Sequence, residues 1–455
     1  MTALISFVTL PLATRILGPA NYGVFALGAT VAGFGSILAT LGTTFYISNT
    51  FAGAGMPERR QLISTLVART ALLAAGWAVL ILAVALALRG QVALLDEVPL
   101  RGLALVLLGA ILATPWTIAV DVLTVEGRAS WFSVSLIVQA LTNAVVLLVS
   151  LYAFDLRGLS LFVGSLAGSV AALVTSLLVL KRYLAPRLAL ERSVLRQRQF
   201  LPAQTLEAVQ PVVERTLLAN YAGFTQLGNY AHSLAYRSLF GQGMNAVNRA
   251  IWPVTLAEAK ERTAFAVTGR VWAATQLGVA MVAVPFVLFG DRLISALTND
   301  KLTAAWVFLA PWFVIVLLQT SGKAATGVLY ATGVSSTVAK LGLLANGVAL
   351  GALVVLVPLF SAAGAAMALL LQALVFRVAL QILARRRAAI PFQDWGAVLA
   401  CALVTALFFL RRDVVESTEG LLVLFVAAEL LCVAVGSRVI VTVAPLLLRT
   451  RARSA

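Results

Sequence analysis

The chain is a succession of apolar segments, separated by turns only just long enough to reverse its direction. A membrane-spanning helix needs about 20 apolar residues, and such spans are predicted near 1–17, 22–47, 62–88, 99–122, 131–154, 158–180, 200–220, 225–250, 266–290, 303–325, 333–358, 360–383, 393–411 and 419–447. The polar–apolar alternation of an outer-membrane barrel is not found. The sequence therefore predicts an all-α integral membrane protein with about 14 transmembrane helices.

The distribution of positive charge predicts the orientation. Charged residues make up 11% of the 455 residues, against about a quarter in soluble proteins. With the N-terminus inside, the predicted cytoplasmic segments hold 19 of the 34 Lys and Arg residues and the outer segments hold 8. Such an excess on the cytoplasmic side is typical of multi-pass membrane proteins. It places both termini in the cytoplasm and explains the net charge of +16 without nucleic acid.

Two basic breaks divide the apolar segments. The first, at 181–199, carries Pro186 and several Lys and Arg residues, and the second is Arg385-Arg386-Arg387. We therefore predict four regions: an N-terminal six-helix bundle (1–180), a basic cytoplasmic linker (181–199), a C-terminal six-helix bundle (200–383), and two additional helices with a basic tail (384–455).

The two predicted bundles share a turn motif. Asn21-Tyr22 follows Gly-Pro-Ala in the first, and Asn229-Tyr230 follows Gly in the second. Gly and Pro favour tight turns, and Asn can cap the helix that follows. Because six is an even number, both bundles have the same orientation, as in parallel repeats with a substrate site between them.

The first motif carries a family resemblance. Thr9–Gly23, TLPLATRILGPANYG, closely resembles the opening signature of bacterial polysaccharide-biosynthesis flippases. These are the O-antigen and exopolysaccharide exporters of the multidrug/oligosaccharidyl-lipid/polysaccharide superfamily. Glu214-Arg215, Gly228-Asn229-Tyr230-Ala231 and Trp252-Pro253 are similar to later motifs of that family.

The resemblance implies two pseudo-symmetric six-helix bundles around a central cavity, which opens to the two sides in turn. It implies a polyprenyl-diphosphate-linked oligosaccharide as the substrate, moved from the cytoplasmic to the outer leaflet for cell-surface polysaccharide biosynthesis. It also implies a location in the bacterial inner membrane. The expected partners are membrane lipids, a polysaccharide polymerase and glycosyltransferases.

Polar residues inside apolar helices are the candidate cavity residues, because burying them in hydrocarbon is costly. In the eighth span, Arg237, Asn245 and Asn248 are spaced to form one polar stripe. We expect this stripe to bind the substrate together with Lys340, Arg69 and Arg15. For these last three, an anchoring role near a membrane face remains an alternative.

Two acidic residues of the seventh span are candidates for ion coupling. Glu207 and Glu214 are seven residues apart and share a helix face. A structural pair between Arg237 and either carboxylate is the alternative, as is a pair between Glu214 and Arg215. The single histidine, His232, is expected near the outer interface.

Three other functions are considered. A cation-coupled multidrug antiporter of the same superfamily is the main alternative, but such carriers usually need a membrane-embedded acidic residue in the first bundle, and the first six spans have only Asp121, near a membrane end. The chain also departs from the flippase pattern at Thr40, where that family often has an acidic residue. A membrane enzyme would need a Ser/His/Asp, Cys/His or metal-ligand set, which the sequence does not show. No catalytic residues, metal site or cofactor are therefore predicted. A channel would need a filter-like loop, which is also not seen.

Overall fold

The computed structural model describes residues 2–51, 54–91, 93–184, 201–261, 265–387, 394–413 and 420–432. Across these residues the chain forms helices and turns, with no β-strand. Eight of the described helices are long and apolar enough to cross a membrane. A membrane interior offers no water to hydrogen-bond the backbone, so each spanning segment must satisfy its own amide groups as a helix. The all-α membrane fold is confirmed, and the count of about 14 spans stays a prediction.

The chain divides into two compact units, Met1–Gly228 and Asn229–Ala455. The first unit contains α1 (Thr2–Ala39), α2 (Thr43–Thr50), α3 (Met56–Ala87), α4 (Ala93–Glu97), α5 (Leu100–Val125), α6 (Ala129–Tyr152), α7 (Leu159–Leu180) and the first part of α8 (Leu201–Lys260). The second contains the rest of α8, then α9 (Ala266–Thr298), a 3₁₀ helix (Thr303–Phe308), α10 (Leu309–Ala331), α11 (Ser335–Arg387), α12 (Asp394–Asp413) and α13 (Gly420–Cys432).

Some predicted segments differ from the structure or lie outside the described residues. The predicted span 22–47 is wrong as a continuous helix, because the chain turns at Gly42 in the left-handed conformation (φ 76°) and α2 begins after it. Residues 185–199 of the predicted linker and 433–455 of the last region lie outside the described residues. The predicted domain boundaries stay predictions.

Glycines at equivalent positions show the internal repeat. Gly18 (φ 72°, ψ 168°) interrupts α1, and Gly223 (φ 78°, ψ 167°) interrupts α8 205 residues later. Gly127 (φ 68°) follows α5, and Gly333 (φ 81°) follows α10 206 residues later. These positive φ angles are strained for residues other than glycine. The same unusual backbone at spacings that differ by one residue supports the predicted internal repeat.

The register of the repeat differs from the predicted one. Pairing Asn21-Tyr22 with Asn229-Tyr230 requires an offset of 208 residues, whereas the interrupting glycines are 205 apart. Asn229 lies inside the second part of α8, six residues after Gly223. The backbone conformation therefore aligns the halves, and the Asn-Tyr dipeptides are three residues out of register.

A reciprocal glycine contact joins α1 to α8. A Cβ atom added to Gly23 would overlap the carbonyl oxygen of Phe224, and one added to Gly228 would overlap the carbonyl oxygen of Pro19. Pro19 and Phe224 each follow an interrupting glycine, and the two contact glycines lie four residues further along. The contact is therefore symmetric between the repeats, and the two backbones touch because neither glycine has a side chain. We call these four residues the glycine crossing.

Small residues also bring together the other helices of the first unit. The Phe162 ring of α7 lies against Gly28 and Gly102, where an added Cβ would approach to 3.3 and 3.0 Å. Phe25 packs edge-on against Phe162, with ring centroids 5.3 Å apart. Dispersion contacts of this kind hold membrane helices together, since lipid is as apolar as the helix faces.

The second unit has an aromatic core. Phe240 of α8, Phe286 of α9 and Phe313 of α10 lie with ring centroids 4.9–6.2 Å apart. In α11 the chain changes direction at Ser361, which has a φ of 53°. The side chain of Gln372 donates to Asn346, so the two parts of α11 are joined by a hydrogen bond across this bend.

The additional helix α12 is attached to the second unit by a charged contact. Arg411 lies 2.5 Å from Asp291 of α9 and donates to the carbonyl oxygen of Leu288 at 3.2 Å. Its guanidinium lies 5.8 Å from the ring centroid of Trp306, which in turn donates to Val287. The combination of ion pair, backbone acceptor and aromatic ring fixes this end of α12.

Replacing Gly23 with Ala tests the glycine crossing. The added methyl group overlaps the Phe224 carbonyl, so the free energy of unfolding should fall by about 1–3 kcal/mol. The matched control is Gly33→Ala in the same part of α1, where an added Cβ meets nothing within 4 Å. Unfolding of both variants in mixed micelles provides the measurement. Equal stability of the two variants would contradict a tight crossing.

Candidate functional site

The polar contacts of the first unit lie along one helix pair. We define the α1–α8 seam as the contact between α1 after Gly18, continued through Gly42, and α8 from Leu201 to Gly228. Contacts along it pair rising residue numbers in α1 with falling numbers in α8, so the helices are antiparallel. The glycine crossing forms one end, and two polar contacts follow.

Arg215 forms the middle contact of the seam. Its Nη1 donates to the carbonyl oxygen of Ala26 at 2.8 Å and also to the hydroxyl of Thr30. The Thr30 hydroxyl donates to the same Ala26 carbonyl at 2.7 Å. The guanidinium thus bonds across to α1, and the charge is stabilised by a helix carbonyl and a hydroxyl. This arrangement fits a structural role for Arg215 in joining the repeats.

Gln204 forms the contact at the other end. The backbone N–H of Gly42, left without a helical acceptor by the break before α2, donates to Gln204 Oε1 at 3.3 Å. Irregular backbone at membrane depth needs such a partner. The sequence shows Gln204 as a polar residue in a span, but only the structure shows that it serves the break at Gly42.

The other predicted residues of the first unit differ in exposure. Glu214 is buried, with 4% of its surface exposed, whereas Glu207 on the same helix is exposed. Arg15 is exposed on α1, and Arg69 is half-buried on α3. Their predicted roles in substrate binding and ion coupling stay predictions.

The second unit contains the predicted polar stripe of α8. The Arg237 guanidinium lies over the Trp312 ring, 5.2 Å from its centroid. Trp312 is held in turn, because its indole N–H donates to Ser233 Oγ at 2.7 Å. Asn245 is exposed and Asn248 half-buried. The stripe therefore combines a cation in a fixed position with two accessible amides, which can bind phosphate and hydroxyl groups.

Two further predicted positions lie elsewhere in the second unit. Lys340 is exposed near the beginning of α11. His232 is fully buried, and its Nε2 is 3.0 Å from the Tyr236 hydroxyl. Its expected position near the outer interface stays a prediction. The His232 ring packs edge-on against that of Tyr236, with centroids 5.2 Å apart, and Tyr236 in turn packs against Phe286.

Sequence reasoning missed two buried charges. Glu258, at the end of α8, accepts the backbone N–H groups of Val267 and Thr268 at 2.9 and 3.2 Å and so caps α9. Arg377 of α11 is 7% exposed, and its side chain lies 3.8 Å from an added Cβ at Gly322. Phe265, which precedes α9, has no side-chain acceptor for the free N–H groups at the start of that helix. The need for an acceptor from elsewhere was the only sequence signal that pointed to Glu258.

Within the described part of the chain, no group of three or more His, Cys, Asp or Glu is placed to hold a metal ion. The polar stripe of α8 presents a guanidinium group and two amides. They are suited to hydrogen-bonding sugars and phosphates.

The fold and sequence have known relatives. The family model described as polysaccharide biosynthesis protein matches residues 1–256. The structure of "Lipid II flippase MurJ, inward closed conformation" superposes with a TM-score of 0.70 at 10% identity, covering 97% of this chain and 99% of that one. No curated protein sequence matches the chain.

Multidrug transporters share the fold less closely. An inward-facing MATE family transporter of the MOP superfamily has a TM-score of 0.56 at 13% identity, with 91% of this chain and 96% of that one covered. The Vibrio cholerae MATE transporter VcmN, as a point mutant, has a TM-score of 0.54 at 14% identity, with 84% and 87% covered. At these identities the likeness shows the fold alone.

A double-mutant cycle between Arg215 and Thr30 tests the middle contact of the seam. Arg215→Met and Thr30→Val should be coupled by about 1 kcal/mol in the free energy of unfolding, because each removes the same interhelical bond. The control cycle pairs Arg215→Met with Thr124→Val. The Thr124 hydroxyl bonds only within α5, to the carbonyl oxygen of Val120. Additive effects at Thr30, as expected at Thr124, would contradict the contact.

Proposed function

Because the chain belongs to the polysaccharide biosynthesis protein family, we propose that it is a flippase for a lipid-linked oligosaccharide. It moves this lipid from the cytoplasmic to the outer leaflet of the bacterial inner membrane by alternating access. The observation that carries the proposal is the full-length likeness to a structure described as a lipid II flippase. By its name, that protein is a flippase for lipid II.

The chemistry of the polar stripe supports an anionic cargo. A polyprenyl diphosphate head group brings phosphates and many hydroxyls into a medium where unpaired polar groups cost several kcal/mol. Arg237 supplies a cation for the phosphates, and Asn245 and Asn248 supply amides for the hydroxyls. Arg15, Arg69 and Lys340 are proposed as further cations for the same head group, with Glu207 and Glu214 as candidate ion-coupling groups.

The contacts of the α1–α8 seam support a hinge motion, because they are tight at one end of the seam and weak at the other. At the glycine crossing the two backbones touch, so separation there would lose many dispersion contacts. At the other end the contact between Gln204 and Gly42 is a single hydrogen bond of 3.3 Å. We propose that the seam opens at the Gln204 end and turns about the glycine crossing, with Arg215 as the intermediate restraint.

The environment and partners follow from the same proposal. Both termini lie in the cytoplasm, and membrane lipids surround the helices. Glycosyltransferases would act on the lipid before transfer, and a polysaccharide polymerase would act on it after transfer. The chain itself carries out transport and no catalytic step, so it needs no cofactor.

A cation-coupled multidrug antiporter is the second candidate. The MATE-like fold favours it, whereas the cationic stripe of the second unit opposes a cationic drug. Resistance conferred on an efflux-deficient host would support the antiporter. Its absence, together with flipping, would support the flippase.

Arg237→Ala should abolish flipping of a lipid-linked oligosaccharide in proteoliposomes, because the cation that binds the phosphates is lost. Membrane abundance and unfolding temperature should remain close to those of the unchanged protein. Arg237→Lys should retain part of the rate, since it keeps the charge. Arg386→Ala, at the exposed end of α11, is the control. Full activity of Arg237→Ala would show that the stripe does not bind the substrate.

Membrane potential should drive the transfer. Each charge moved across 100 mV gains about 2.3 kcal/mol, so a doubly charged head group gains roughly 4–5 kcal/mol on moving outward from a negative interior. A potential imposed with potassium and valinomycin should therefore accelerate outward flipping, and the reversed potential should slow it. Protein-free vesicles are the control. Rates independent of potential and of cation gradients would rule out this source of energy.

A further inference from the structure

An apolar groove runs along the exposed face of the α6–α7 hairpin. It has a volume of about 480 Å³, within the usual range for ligand sites. Gly164 and Gly168 of α7 allow α6 to approach closely on one side, where an added Cβ would lie 2.6 Å from Leu147 and 3.1 Å from Asn143. Small and β-branched residues leave space on the other side, and the groove is lined by Val138, Thr142, Val146, Val163, Ala167 and Val174.

The groove is open to the surroundings of the hairpin. Val138 is 39% exposed, Val170 is 44% exposed and Val174 is 51% exposed. In a membrane-spanning hairpin such a face contacts hydrocarbon, so its occupant is an apolar chain. The lining contains two hydroxyls, those of Thr142 and Thr175. The Thr175 hydroxyl donates to the carbonyl oxygen of Ala171 in its own helix. Apart from these two hydroxyls, the side chains that line the groove are apolar.

One end of the hairpin carries an excess of positive charge. Arg128 precedes α6, and Lys181 and Arg182 follow α7. Glu126 lies 3.5 Å from Arg128 and also pairs with Arg182. Two guanidinium groups thus share one carboxylate, and Lys181 adds a third cation, which is exposed. The opposite end, by contrast, has Arg157 paired with Asp155 at 3.6 Å.

The cationic end is held firmly in place. Arg60 of α3 donates to the carbonyl oxygen of Arg182 at 3.1 Å, and Ser64 donates to that of Tyr183 at 3.3 Å. The Tyr183 hydroxyl donates to Glu126. Burial and the bond to Glu126 raise the pKa of Tyr183, so the phenol remains a neutral donor at pH 7. The backbone of Arg182 and Tyr183 and the Arg182 guanidinium are therefore held in place at the end of α7.

The length of the groove identifies its occupant. At 1.5 Å per residue, the wall from Val163 to Thr175 is about 18 Å long, and Val163 lies about 27 Å from the level of Lys181. The hydrocarbon core is about 30 Å thick, so a phospholipid chain anchored at Lys181 ends near its middle, after about 15 Å. A single longer chain with an anionic head extends from the cationic end through the whole groove.

We propose that the groove holds the polyprenyl chain of the lipid-linked substrate while Lys181 and Arg128 bind its diphosphate. This inference rests on the proposed function and adds a docking site on the first unit, separate from the polar stripe of the second. The lipid binds with its head at the cationic end, which is cytoplasmic in the predicted orientation. It is the site from which the substrate is loaded.

Native mass spectrometry of the purified full-length protein, titrated with polyprenyl diphosphate or with phosphatidylglycerol, tests the site. Lys181→Gln should weaken polyprenyl diphosphate binding about fivefold, as expected for one interfacial cation. Ala167→Phe, which fills the groove, should cause a comparable loss. Phosphatidylglycerol binding should change much less in the groove-filling variant, because its chain does not reach the full groove.

Matched controls separate site effects from folding. Arg157→Gln removes an exposed cation from the opposite end of the same hairpin, and Val145→Phe adds a ring at a position that is 57% exposed, outside the groove lining. Both should bind polyprenyl diphosphate as the unchanged protein does. If Ala167→Phe fails to fold, Lys181→Gln against Arg157→Gln decides the question.

The outcomes distinguish the groove from the proposed function. Unchanged polyprenyl diphosphate binding in the site variants, or an equal loss for both lipids, overturns the groove as a substrate site. If the unchanged protein still flips in that case, the proposed function stands. If it neither binds polyprenyl diphosphate nor flips, the proposed function fails as well.

Discussion

The glycine crossing is the contact on which the arrangement of the first unit depends. Gly23 and Gly228 bring the backbones of α1 and α8 into contact, and each lies against the residue that follows the interrupting glycine of the other repeat. This close approach sets the register in which Arg215 reaches the Ala26 carbonyl at 2.8 Å. A wider separation at the crossing would draw Arg215 away from its partners on α1, which is costly for a charge in hydrocarbon.

The charges of the two units have different chemical roles. Arg215 bonds to a carbonyl and a hydroxyl of α1, so its charge joins helices. Arg237 lies over the Trp312 ring, on the same helix stripe as Asn245 and Asn248. In the proposed function, Arg237 is the cation that binds the phosphates of the lipid.

The sequence predicted the helices well because long apolar segments can only be helices in a bilayer. It also predicted that the halves repeat, but aligned them on Asn21-Tyr22, since a dipeptide is visible and a backbone angle is not. The break at Gly42 and its partner Gln204 were not predicted, because they are brought together by packing of residues 162 apart in the chain. The burial of His232 was missed for the same reason.

The most direct test of the account compares two cargoes in the same proteoliposomes. Purified protein is reconstituted with a lipid-linked oligosaccharide or with a cationic drug, and transfer of each is followed under an imposed potential. The account predicts rapid transfer of the oligosaccharide lipid, dependent on the protein, and no transport of the drug. Drug transport coupled to a cation gradient, with no flipping of the lipid, would contradict it.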